Sequence, residues 1–131
     1  MNIDAAIIDG PVRPPEHPGS VVEAAGAAGA VLEFLGVVRE SEGGRSILAL
    51  DYQVYEPMAS HQLEAIAGDL CRTLGLLACS IRHSRGRVPV GAASLWVRVC
   101  APHRAEAIEG LRRLLDRLKA DVPIWKSPVF A

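Results

Sequence analysis

Apolar positions repeat along this chain with two periods, and the most regular stripe lies near its end. Ala107, Ile108, Leu111, Leu114, Leu115 and Leu118 recur at spacings that predict an amphipathic helix over about 103–120. A second stripe, Leu63, Ile66, Leu70 and Leu74, predicts a packing helix that starts at Pro57, where a first turn tolerates proline, and ends near Gly75. Elsewhere alternation takes over. From Ser46 to Tyr55, Leu48, Leu50, Tyr52 and Val54 alternate with Ala49, Asp51, Gln53 and Tyr55, as in a strand with one apolar face. Leu95, Val97 and Val99 do the same over 93–101, and residues 3–9 and 76–83 read as further strands. Val31 to Arg39 is nearly all apolar and rich in β-branched residues, which suits an inner strand covered on both faces.

Breakers divide these segments. Gly10 to Gly19 contains four prolines and is a loop, and Ser20 followed by Glu23 predicts a short capped helix over 20–25, ended by the stretch from Gly26 to Gly29. Glu40 to Arg45, with Gly43-Gly44, reads as a hairpin loop, and Arg85-Gly86-Arg87 as a turn. The order β-α-β-β-α-β-β-α predicts an α+β fold with helices packed on a mixed or antiparallel sheet. Neither a linker nor a repeat splits the chain, so 1–131 is expected to be a single domain.

At 131 residues and 50% hydrophobic, such a chain buries roughly 68% of its unfolded surface and needs no metal or disulfide to fold. Cys71, Cys79 and Cys100 are odd in number, lie in apolar runs and lack C-x-x-C spacing, which predicts inert buried thiols in a reducing compartment. The N-terminus has no basic region, and no apolar run approaches the roughly 20 residues of a membrane span, so a cytoplasmic protein is expected. The net charge of −1 conceals an asymmetry. Residues 1–80 hold 4 basic and 11 acidic side chains, net −7, and residues 81–131 hold 10 and 4, net +6. That split suggests an anion site in the second half and a dipolar surface for partners, but it is too weak for non-specific nucleic-acid binding.

Candidate chemistry gathers around the last helix. His103 and Arg104 fall in its first turn, where unpaired N–H groups and the positive dipole end favour an anion, so two cations there imply a negative ligand. The plainer alternative is that both side chains simply extend into water. Lys119 follows fifteen residues after Arg104, about 22 Å along a helix, so the two can share one small ligand only if something bends or a second subunit intervenes. Lys119 flanks the stripe, which suggests a buried stem, and with Lys126 close by the neutral amine would be favoured as base or nucleophile. A helix-end lysine answering the dipole is the competing account. Pro123 ends the helix, and Trp125 reads as an apolar anchor that holds Lys126 in place. Arg112, Arg113 and Arg117 read as a solvated face, and His61 and His83 as ordinary side chains. The four histidines lack metal-ligand spacing, and no P-loop, G-x-G-x-x-G or G-x-S-x-G occurs, so no metal or cofactor is expected.

Taken in order, Phe34 to Arg39, Leu50-Asp51-Tyr52 with Tyr55 to Ala59, His83 with Gly86, Ala101 to Ala107, and Asp116 to Lys119 with Val122 to Lys126 resemble the MoaE family, the large catalytic subunits of molybdopterin synthase. The match runs in register over about residues 30–126. The resemblance implies an α/β-hammerhead fold and a central homodimer with a small ubiquitin-like partner, MoaD, at each end, a heterotetramer. It implies sulfur transfer from the thiocarboxylated MoaD C-terminus to cyclic pyranopterin monophosphate, forming the molybdopterin dithiolene. By the family pattern Lys119 is the principal catalytic lysine and Lys126 assists as proton donor or charge stabiliser. Arg39, His103 and Arg104 would hold the substrate phosphate, and the backbone at Val37 and Val38 would line the pocket.

The pattern departs at Ser127-Pro128, where family members usually continue with lysine and glutamate and run on further; Ala92 and Ser84 also differ from frequent family residues. Loss of that tail would bear on partner docking and pocket closure. A second reading is accordingly a MoaE-like protein that binds pterin phosphate or a ubiquitin-like tail without turnover. A third is a generic α+β module for another phosphorylated metabolite.

Overall fold

The computed structural model describes residues 2–14 and 26–131. Seven strands and two helices follow in the order β1 (Asn2–Asp9), β2 (Ala30–Val37), β3 (Ser41–Glu42), β4 (Arg45–Val54), α1 (Met58–Leu74), β5 (Ala78–Pro89), β6 (Ala93–Ala101), α2 (Arg104–Asp121) and β7 (Ile124–Phe130). The sheet path is β2-β6-β5-β4-β3, with β1 on β5 and β7 on β4. Only the β1–β5 pair is parallel, so the expected α+β fold on a mixed sheet is the one observed. The helix expected over 20–25 lies outside the described residues.

Both predicted helices form, because their stripes find a common surface. Ala59, Leu63, Ile66 and Leu70 of α1 and Leu114 and Leu118 of α2 pack over Cys79, Ile81, Val97 and Val99 of the two central strands. Gly75 ends α1 in the left-handed region at φ 70°, its N–H donating to the Cys71 carbonyl. Ile108 departs from the predicted stripe and is exposed. The thiols are buried as expected, and burial pushes Cys79 up to about 12 and raises Cys71. Arg112 and Arg113 are exposed as expected and Arg117 is half-buried, each ion-paired, with Glu109, Asp116 and Asp69 as acids.

Three sequence expectations change. The apolar stretch after Ala30 is not an inner strand: among the described residues β2 pairs with β6 alone, and Leu35 and Val37 are 46% and 49% exposed. The doubly covered strand is β6, buried at every residue from Trp96 to Ala101. Residues 85–87 form no turn. They continue β5, which pairs with β1 and β6 through its first part and with β4 from Gly86 to Pro89.

Gly86 permits that change of partner. Its φ of 88° lies where an L side chain is strained, while a Cβ there would meet no atom within 4 Å. Gly86→Ala should therefore cost roughly 1–2 kcal/mol through backbone strain alone. Chemical denaturation that showed no loss would remove Gly86 as the hinge of the strand.

The chain's end was expected to pack but not to pair. It forms β7, in antiparallel register with β4 from Val54↔Ile124 through Tyr52↔Lys126 to Ile47↔Phe130. Ser127 and Pro128 sit inside this strand, opposite Asp51 and Leu50.

Candidate active site

A cleft of about 590 Å³ opens where the C-terminal end of α2 meets the β4–β7 ribbon and the residues that follow β2. Val37, Val38, Arg39, Lys119 and Lys126 all line it. The protein has only two lysines in its sequence, and both face this one space.

Each is delivered by a different device. The stripe of α2 buries Leu118 and thereby sets the last turn, from which the exposed Lys119 side chain projects. Lys126 is placed by β7, whose pairing opposite Tyr52 turns it toward the cleft, with its ammonium 3.4 Å from the Glu42 carboxylate. Trp125 is not the buried anchor that was expected; it is 59% exposed on the other face of the ribbon. Val38 is buried, with its N–H donated to the Ala92 carbonyl and its own carbonyl accepting from Gly91. Its backbone shapes the wall and has no spare N–H for a ligand. Val37 and Arg39 flank it at the mouth.

His103 and Arg104 lie elsewhere. They open α2, Lys119 stands in its last turn, and neither of the two lines the cleft. His103 is the N-cap, 81% exposed, and the Glu106 carboxylate accepts its backbone N–H at 3.2 Å while lying 3.4 Å from Nδ1. Backbone N–H groups at the helix start hold Glu106 below its usual range, aided by His103. The helix start therefore already has one negative group, supplied by its own third turn position.

The cleft also contains Tyr52 and His83, which the sequence reading named without giving them a role in the site. Tyr52 donates its hydroxyl to Ser94 Oγ at 2.9 Å, and its ring meets the His83 ring edge-on at 5.2 Å. His83 is 6% exposed, with Nδ1 2.8 Å from the Ser84 carbonyl. Because a carbonyl only accepts, Nδ1 carries the proton and Nε2 is the acceptor of a neutral ring. Burial holds the His83 pKa below its ordinary 6.5, opposed weakly by that hydrogen bond. In the unfolded chain the same histidine protonates first as the pH falls, so this contribution to stability is present above about pH 6.5 and is lost in more acid solution. Melting temperature should fall between about pH 7 and pH 5, with a shallower slope in His83→Gln; equal slopes would show that His83 is not the group responsible. The place of His83 and Glu42 in the cleft could be found only from their neighbours: His83 sits on a core strand and Glu42 on the two-residue β3.

Comparison with known proteins adds the decisive observation: residues 11–121 match the profile of the MoaE protein family. This chain belongs to the MoaE family. It is 41% identical over 104 residues to the molybdopterin synthase catalytic subunit of Oryza sativa subsp. indica, covering 79% of this chain and 54% of the relative. It is 34% identical over 102 residues to the human subunit of that name, covering 78% and 54%. The chain thus spans about half the length of these curated relatives. The crystal structure of molybdopterin synthase from Staphylococcus aureus superposes with a TM-score of 0.77 at 31% identity, covering 83% of this chain and 80% of that one. In this MoaE chain Lys119, Lys126 and Arg39 converge, whereas His103 and Arg104 stand a helix length away.

Proposed function

We propose that this MoaE-family chain is the catalytic subunit of a molybdopterin synthase, a sulfurtransferase acting in the cytoplasm as one domain. It would move sulfur from the thiocarboxylated C-terminus of a small ubiquitin-like MoaD subunit to cyclic pyranopterin monophosphate. The observation that carries the reading is the convergence of Lys119, Lys126 and Arg39 in one cleft. Arg39 offers a planar fork of donors suited to a phosphate, and the two ammonium groups can stabilise charge or pass a proton as sulfur replaces oxygen. An extended Gly-Gly tail is narrow enough to enter such a cleft, and Tyr52 and His83 give it a firm floor.

His103 and Arg104 complete the substrate site in this reading only from a second copy. The open edge of β2, with Leu35 and Val37 exposed, is consistent with a homodimer, which would stand between two MoaD subunits. Among the described residues no helix is long and apolar enough to cross a membrane.

The test is a single-turnover reaction of the purified protein with thiocarboxylated MoaD and cyclic pyranopterin monophosphate, scoring molybdopterin by its fluorescent oxidation product. Product is expected. Intact partner binding with no product would favour the non-catalytic reading, for which the departure from the family at Ser127-Pro128 is the motive.

A further inference from the structure

Glu42 belongs to no motif that led to the cleft, yet it is the acid that meets Lys126. The other two cations of the cleft, Arg39 and Lys119, make no ion pair with a described residue. Glu42 sits on the two-residue β3, directly opposite Arg45 and joined to it by Gly43 and Gly44 at φ 58° and 78°. From that one rung both side chains reach the same strand. The Glu42 carboxylate takes Lys126, and the Arg45 guanidinium lies 3.7 Å over the Phe130 ring. Lys126 and Phe130 are four residues apart on β7 and so on one face of it. The hairpin therefore grips β7 at two points, of which the Glu42–Lys126 contact lies in the cleft lining.

We propose that Glu42 is a positioning residue for Lys126: the clasp formed by Glu42 on Lys126 and Arg45 on Phe130 holds the ammonium at one place on the cleft wall, ready for an anionic substrate. The proposal deepens the reading of this cleft as the sulfur-transfer site and rests on it. Ion pairs of this exposure, 52% for Lys126 and 32% for Glu42, add little to stability. What the pair can do is remove rotamer freedom from a long side chain. Lysine is a flexible point charge, and a freely moving ammonium meets a reacting atom far less often than a fixed one.

Two lysines in the whole sequence make the test clean. Under limiting acetylation with N-hydroxysuccinimidyl acetate, peptide mass spectrometry gives labelling of Lys126 relative to Lys119. Glu42→Gln should raise that ratio by about threefold, because the ammonium is released from its carboxylate; an unchanged ratio would overturn the clasp. In single turnover the same variant should lose roughly tenfold in rate, with substrate Kd altered by less than about twofold. Placed in a Lys126→Ala background, it should cost nothing further, whereas additive losses would show that Glu42 does not act through Lys126. The labelling arm needs no turnover, so it decides on Glu42 even if the unsubstituted protein makes no product, a result that would count against the sulfur-transfer reading alone.

Discussion

Lys119→Ala should reduce single-turnover formation of molybdopterin to below about 1% of the unsubstituted rate, since a lost acid, base or charge stabiliser costs about 10²–10⁴-fold. The fold should survive. Lys119 is exposed at the end of α2, its neighbour Leu118 makes the buried contact, and a helix-end lysine contributes under about 1 kcal/mol through the dipole. A circular dichroism melt should therefore overlay that of the parent within a few degrees. The variant separates two accounts of this lysine, since a residue that merely answers the helix dipole would lose a trace of stability and no activity. Retention of even a tenth of the rate would move the principal role to Lys126.

Trp96→Ala should be the most damaging change to the fold. Trp96 is 1% exposed at the centre of β6, between Leu35 of β2 and Arg82 of β5 in register. Its Nε1–H donates to the Glu33 carboxylate at 3.3 Å, and the Arg98 and Arg82 guanidinium groups lie 5.2 and 6.0 Å from its ring. Truncation leaves a cavity and unseats those charged neighbours, for an expected loss of about 3–5 kcal/mol and a melting temperature lower by ~10–18 °C. Trp96→Phe keeps the aromatic surface for the two guanidinium groups and should cost markedly less. Equal losses from both would place the energy in the indole hydrogen bond instead of the packed ring.

Trp96 also explains why the sequence misled about which strand is innermost. Leu95, Val97 and Val99 were legible as one apolar face. The alternate positions of β5 and β6 carry Ser80, Arg82, Ser84, Ser94, Trp96 and Arg98, and polarity alone reads most of these as outward. Most are nevertheless buried, and some find partners: Arg82 pairs with Asp4 and Ser94 accepts from Tyr52, while the buried Ser84 Oγ finds none among the described residues. Val31 to Val37, with no such disguise, looked like the centre and is the edge. Pattern reading counts apolar atoms and cannot see polar groups satisfied across a sheet.

The helices were legible to within a residue or two because each carries its own stripe and stop signal. The missing strand β7 was not, since Ile124 to Phe130 contains Lys126, Ser127 and Pro128 and gains its regularity only from pairing with β4. For the site, the family resemblance picked out Arg39, Lys119 and Lys126, which the fold brings together. It could not supply Glu42, whose partner lies 84 positions away. The same distance effect reinterprets the charge asymmetry. Arg82, Arg85, Arg117 and Lys126 from the basic half meet Asp4, Asp9, Asp69 and Glu42 from the acidic half, so much of the apparent dipole is spent inside the molecule.

Strand β5 gives this cleft an unusual foundation. A single run from Ala78 to Pro89 carries the sheet beneath both helices with its first residues, His83 of the cleft floor in its middle, and the β4 pairing with its last. The floor cannot loosen without disturbing the strand that the hydrophobic core is built on. Adaptation to a bound molecule is thereby left to the rim, where the β3 hairpin and two long amines are the parts with room to move. Recognition at this site divides between a base whose shape is settled when the chain folds and a movable edge of charge that adjusts on contact.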